Sequence, residues 1–173
     1  MDLLLSRTEV IAIVPASKLT SNQPPRLSVW VRGALTGVAL GLMVVFFIAW
    51  RLNPYEEDGT AKIQGTHRGL GLPPCTFLKQ TGQPCPACGM TTSFALLVRG
   101  DVRNSLRANW VGTLLCAFGM LFVPWAAIVI VRGRSLFVRS LEAALIVFVS
   151  SLLVLMLLRW GIVLGSRWLA GEL

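Results

Sequence analysis

Apolar residues crowd three stretches of this chain: Gly33 to Trp50, Trp110 to Val131 and roughly Leu141 to Leu164. As helices, all three are long enough to cross a hydrocarbon core of about 30 Å, so three membrane spans are predicted. The third carries Glu142 at one end and Arg159 near the other, leaving Ala143 to Leu158 free of charge. Arg159 is therefore expected to snorkel its head group to the interface. Tryptophan placement agrees, because indole rings favour the head-group region. Trp30, Trp50, Trp110, Trp160 and Trp168 fall near predicted span ends. Trp125 lies deep, beside Pro124, which should kink the second span or lean on a neighbouring helix for the lost hydrogen bond.

Small residues recur at four-residue spacing, as Gly33, Gly37 and Gly41 in the first span and Gly161 with Gly165 in the third. Such spacing lets backbones approach closely and predicts helix contacts, within the bundle in preference to between copies. Residues 1–28, with Pro15, Pro24 and Pro25, read as a disordered tail, and residues 29–173 as one membrane domain. The apolar start is broken by Arg7 and Glu9, which does not suit a cleavable signal.

The pattern changes between the first two spans. From Arg51 to about Pro74 the chain is rich in Gly, Pro, Thr and charge and reads as a loop. The segment 75–109 then regains helical periodicity. Phe94, Leu97 and Val98, with Met90 or Ala95, share one face of a short helix predicted over about Pro86 to Val98. Pro86 suits a first turn, where its missing N–H costs nothing. Gly100 ends that helix and Asp101 caps the next, which starts near Val102. Arg103 and Arg107 lie four apart on one face, so this helix skims the interface before entering the second span.

Composition fits this pattern. The chain is 54% hydrophobic and 14% charged, with a mean hydropathy of +0.68, outside the range of ordinary soluble domains. The net charge of +8 comes from basic residues flanking apolar spans, with no aromatic-basic interleaving, which points to anionic lipid and away from nucleic acid. Basic residues near the membrane balance: Lys18, Arg26, Arg32, Arg132, Arg134 and Arg139 on the tail side, and Arg51, Lys62, Arg99, Arg103, Arg107 and Arg167 on the other. The concentration of arginine in the 132–140 loop, and the acidic run Glu56 to Asp58 after the first span, place the 51–109 segment on the outer face.

Candidate chemistry is confined to Cys75, Cys85 and Cys88, the last two within "PCPACGMTT". A Cys-Pro-x-Cys-Gly turn can aim two thiolates at one zinc ion, with Cys75 as a third ligand and no fourth evident, since His67 lies in a Gly-rich loop eight residues before Cys75 and Cys116 in a span. Alternatively, Cys85 near a helix N-cap and Cys88 one turn in would feel the helix dipole and form a redox pair. The preferred structural alternative is a disulfide from Cys75 to Cys85 or Cys88, which needs no cofactor and stabilises the loop by up to ~3 kcal/mol. Cys116, in a span, is a packing residue. Thr91 and Thr92 could bind something polar, or simply bond the helix backbone. No catalytic constellation of carboxylates, nucleophilic serine or phosphate-binding glycines accompanies them.

The stretch from Cys75 to Asn109 resembles a bacterial membrane-protein family of unknown function, number twenty-seven fifty-two. The family pattern runs Cys-Pro, Thr-Gly, Cys-Pro-Gly-Cys-Gly, Thr-Arg, Gly-Asp, Asn-Pro. Its counterparts are Cys75, Thr81, Gly82, Cys85, Pro86, Cys88, Gly89, Thr91, Gly100, Asp101 and Asn109. The chain departs at Thr76, Ala87 and Trp110, and Thr92 stands where the family has arginine. The resemblance implies a bacterial inner membrane and supplies no activity. The expected fold is all-α: three spans, with a short cysteine-pinned interfacial helix before the second. The expected role is a non-enzymatic accessory or partner-binding unit, its partners being lipid and a membrane protein or a second copy. The alternative is thiol-disulfide exchange or metal binding through the three cysteines.

Overall fold

The computed structural model describes residues 27–133 and 141–171, so the expectation for the tail at 1–26 and most of the 132–140 loop fall outside the described residues. Among the described residues five α-helices follow one another: α1 (Val29–Arg51), α2 (Thr76–Thr81), α3 (Met90–Leu97), α4 (Val102–Arg132) and α5 (Leu141–Leu169), with a 3-10 turn at Thr66–Leu70 before α2. Three of them, α1, α4 and α5, are long and apolar enough to cross a membrane. The protein is a multi-pass, all-helical membrane protein. The first and third spans extend past their predicted bounds, because flanking Arg, Trp and Ser residues continue the helices into the interface.

Each helix end has a local cause. Ser28 accepts a hydrogen bond from the Val31 N–H at 3.3 Å and starts α1. At its other end, Arg99 donates to the carbonyls of Ala49 (3.1 Å) and Trp50, groups the helix cannot satisfy itself. Gly100, at φ +81°, separates α3 from α4. Asp101 caps α4 by accepting from the Asn104 N–H at 3.2 Å, as the sequence suggests.

The kink in α4 lies elsewhere than predicted. Among the residues of α4 it is Asn109 that has non-helical dihedrals (φ −161°, ψ 100°), rather than any near Pro124. Val102 to Ala108 is thus a separate interfacial turn of helix, and the span proper begins at Trp110.

The extensive packing is that of α3 on α4, with α1 along α4. Ala95, Leu96, Ala108, Val111 and Cys116 are fully buried there. The glycine stripes take no part: a Cβ on Gly33, Gly37, Gly41, Gly161 or Gly165 would meet nothing within 4 Å. Close approach occurs instead at Gly119 of α4, where an added Cβ would lie 2.9 Å from Phe46 of α1. A small-residue pattern reveals spacing, and only the facing helix decides whether it is used.

Helix α5 is attached at few points. No residue in its most apolar window is buried, and it meets α4 through stacked Phe148 and Phe118 rings 4.6 Å apart. The Leu27 N–H bonds the Gly133 carbonyl at 3.0 Å, bringing the start of α1 and the end of α4 together at one side of the bundle. The cysteines, the start of α4 and the end of α5 occupy the other.

Candidate functional site

The cysteine region is assembled around one carbonyl and one amide side chain. Gly89 adopts φ +82°, and a Cβ there would lie 2.5 Å from the Ala108 carbonyl oxygen and 2.9 Å from that of Ile63. Glycine is therefore required twice over, for its left-handed backbone and for its lack of volume. This turn also corrects the predicted helix. Its first residue is Met90, not Pro86, because Pro86 to Gly89 form turns closed by Cys88 N–H to Cys85 carbonyl (3.0 Å) and Met90 N–H to Ala87 carbonyl (3.1 Å). Cys85 and Cys88 consequently precede α3, and the N-terminal dipole argument for them fails.

Asn109, fully buried, ties the turn to the span. Its Nδ2 donates to the Cys88 carbonyl at 3.1 Å, and its Oδ1 accepts from the Gly112 N–H at 3.0 Å. The residue is thus the N-cap of the membrane-crossing part of α4 and a strut under the cysteines. Nearby hydroxyls complete the polar packing. Ser105 donates to the Ser93 carbonyl and pairs with Thr113 at 2.7 Å, while Thr66 donates to Thr92 at 2.9 Å. Gly112 leaves the space Ser93 needs: a Cβ there would be 2.3 Å from its Oγ.

Cys75 is the N-cap residue of α2, a helix that sequence periodicity did not reveal. Gly82, at φ +69°, ends α2, and Thr81 bonds back to the Phe77 carbonyl at 2.7 Å while accepting from the Gln83 N–H. The chain is thereby turned so that Cys75 faces Cys85 and Cys88. The three Sγ atoms all lie within 4.8 Å of one another. The expected disulfide is not formed: all four cysteines are free, and Cys85 and Cys88 have their sulfurs 3.3 Å apart against the ~2.05 Å of a bond. The Cys85 N–H also donates to the Cys88 sulfur at 3.2 Å.

Protonation differs between the thiols. The Leu78 amide at the start of α2 favours a thiolate at Cys75 and holds it below the ordinary thiol range. Burial pushes Cys88 up to about 12, with the Cys85 hydrogen bond acting in the same sense.

Arg159 donates to the Ala108 carbonyl at 2.9 Å, the group released by the kink, which brings its head group to the turn that precedes the second span. Trp160 donates to the Pro84 carbonyl at 2.9 Å and sets its ring edge-on to Phe77, and Arg167 reaches the Gly82 carbonyl and Gln83. The end of α5 is thus part of the site. The available signal was an arginine beside a tryptophan following a charge-free run. That pattern fits an interface anchor equally well, and no local rule separates the two.

Thr91 lines a cavity of about 390 Å³ with the three cysteines, His67 and Arg68. Thr92 faces inward, fully buried against Thr66.

Residues 75–123 match the model of a family described as a protein of unknown function (DUF2752), which bears out the resemblance over the cysteine segment and the first part of α4. No curated protein and no solved structure matches the chain.

Proposed function

We propose that this membrane protein binds a thiophilic metal ion, zinc in the first instance, through Cys75, Cys85 and Cys88. The ion fastens α2 to the turn before α3, in a non-enzymatic unit of the membrane surface. One observation carries the proposal: three unbonded sulfurs, from two separate turns, converge within 4.8 Å. A tetrahedral ion with Zn–S bonds of ~2.3 Å holds its sulfurs ~3.8 Å apart. The 3.3 Å separation of Cys85 and Cys88 is nearer to that than to a disulfide. The arginine distribution supports an outer-face location for this segment, with the 132–140 loop in the cytoplasm. The family resemblance supports a bacterial inner membrane.

The same 3.3 Å contact favours a second reading, a dithiol that cycles with its disulfide. Elemental analysis of detergent-purified protein, with thiol counts before and after chelation and reduction, separates the two. The metal reading expects about one zinc per chain, released by chelator together with three reactive thiols, and loss of that zinc in Cys75→Ser and Cys88→Ser. Metal-free protein whose cysteines become reactive only after reduction would overturn it.

A further inference from the structure

Resting on the metal reading, we propose that the ion keeps a fourth position open to the adjoining cavity and accepts there a small thiolate from outside the protein. Among the described residues, the candidate ligand group contains the three cysteines alone. His67, the single histidine, also lines the cavity, but its ring nitrogens lie outside that group, and its Nε2 is 3.3 Å from the Pro73 carbonyl. Zinc favours four ligands, and a site with three from the protein completes its shell from elsewhere.

The geometry says from where. All three cysteines line the cavity of about 390 Å³, so an ion held by them has that space on its free side. The volume exceeds the ~30 Å³ share of a water molecule by an order of magnitude and falls in the range of small-ligand sites. Leu78 and Met90 in the lining suit an organic body, and Arg68 supplies a cation.

The donor set selects the ligand class. An ion held by three sulfurs is a site for soft ligands, and Arg68 on the cavity wall supplies a cation for an anionic one. A thiolate is the monoanion that binds an already thiolate-ligated soft ion well at neutral pH. In the exchange the incoming thiol leaves its proton with solvent, its sulfur forms the fourth metal bond, and a bound water departs. No electron moves.

Cobalt-loaded protein in detergent provides the test, because the visible bands of cobalt(II) report its ligand set. Titration with 2-mercaptoethanol is expected to change these bands saturably and to strengthen the sulfur-to-cobalt charge-transfer absorption. Acetate should leave them unchanged. Arg68→Gln, at an exposed position, should weaken the response to the thiol about tenfold. Bands indifferent to thiol, an equal response to acetate, or thiol stripping the cobalt would each overturn the inference while leaving the metal reading standing. Absence of cobalt bands from the start would refute the metal reading itself, and this inference with it.

Discussion

Replacing Gly89 by alanine tests the account of the site at its tightest point. The residue has φ +82°, and an L-residue in the left-handed region costs about 1–2 kcal/mol. The new Cβ would also stand 2.5 Å from the Ala108 oxygen, which is backbone and cannot simply rotate away. That oxygen accepts the Arg159 hydrogen bond at 2.9 Å, so displacing it weakens a charge-assisted contact worth about 1.5–3 kcal/mol. The combined cost is about 3–4 kcal/mol, taking these terms at partial loss. Gly100→Ala is the matched control: its φ is +81°, yet a Cβ there meets nothing within 4 Å. It should lose only about 1–2 kcal/mol. Denaturant unfolding in mild detergent, followed by tryptophan fluorescence, measures both. Equal destabilisation of the two variants would refute the claim that Gly89 is fixed by contact with Ala108, leaving backbone conformation as its whole role.

Other residues give further tests. Asn109→Ala removes a cap and the tie to the Cys88 carbonyl, so it should destabilise by about 1–3 kcal/mol and weaken zinc binding, read by competition with a chromophoric chelator. Unchanged zinc affinity would show that the strut does not organise the sulfurs. Arg99→Ala should loosen α1 from α3, with faster amide exchange in the last turn of α1, whereas Arg99→Lys should restore part of the protection. Asp101 is held below the ordinary carboxylate range, chiefly by the Asn104 side chain, so its contribution to stability is present above the unfolded value and lost as pH falls through the lower folded one. Asp101→Asn should therefore flatten the acid limb of the stability profile, and an unaltered limb would argue against the cap. Trp160→Phe keeps the ring and removes the donor to Pro84, and should raise the alkylation rate of Cys85 in metal-free protein.

Much of the architecture was legible because its causes are local. Apolar length fixed the spans, and glycine followed by aspartate at 100 and 101 marked a helix boundary that the dihedrals reproduce. The start of α3 was misread, since Pro86 suits a first turn, and nothing nearby announces that Ala108 will occupy the space beside Gly89. Helix α2 was missed because Thr76–Thr81 is too short to display a period. The convergence of Cys75 with Cys85 and Cys88 was open to three explanations, as spacing alone does not fix a sulfur-to-sulfur distance. The role of Arg159 lay beyond reach, since its partner at 108 is set by the docking of a helix distant in sequence.

The attachment of α5 also orders biogenesis. Synthesis proceeds from the N-terminus, so α1, the cysteine turns and α4 are made before α5 exists. Until then the Pro84 and Ala108 carbonyls lack the donors that Trp160 and Arg159 later bring. A nascent chain paused before its last helix would present the cysteine turns without Arg159, and truncation before that residue would act on carbonyls 51 and 76 residues upstream of their donors. Arg159 and Trp160 thus complete a segment made much earlier.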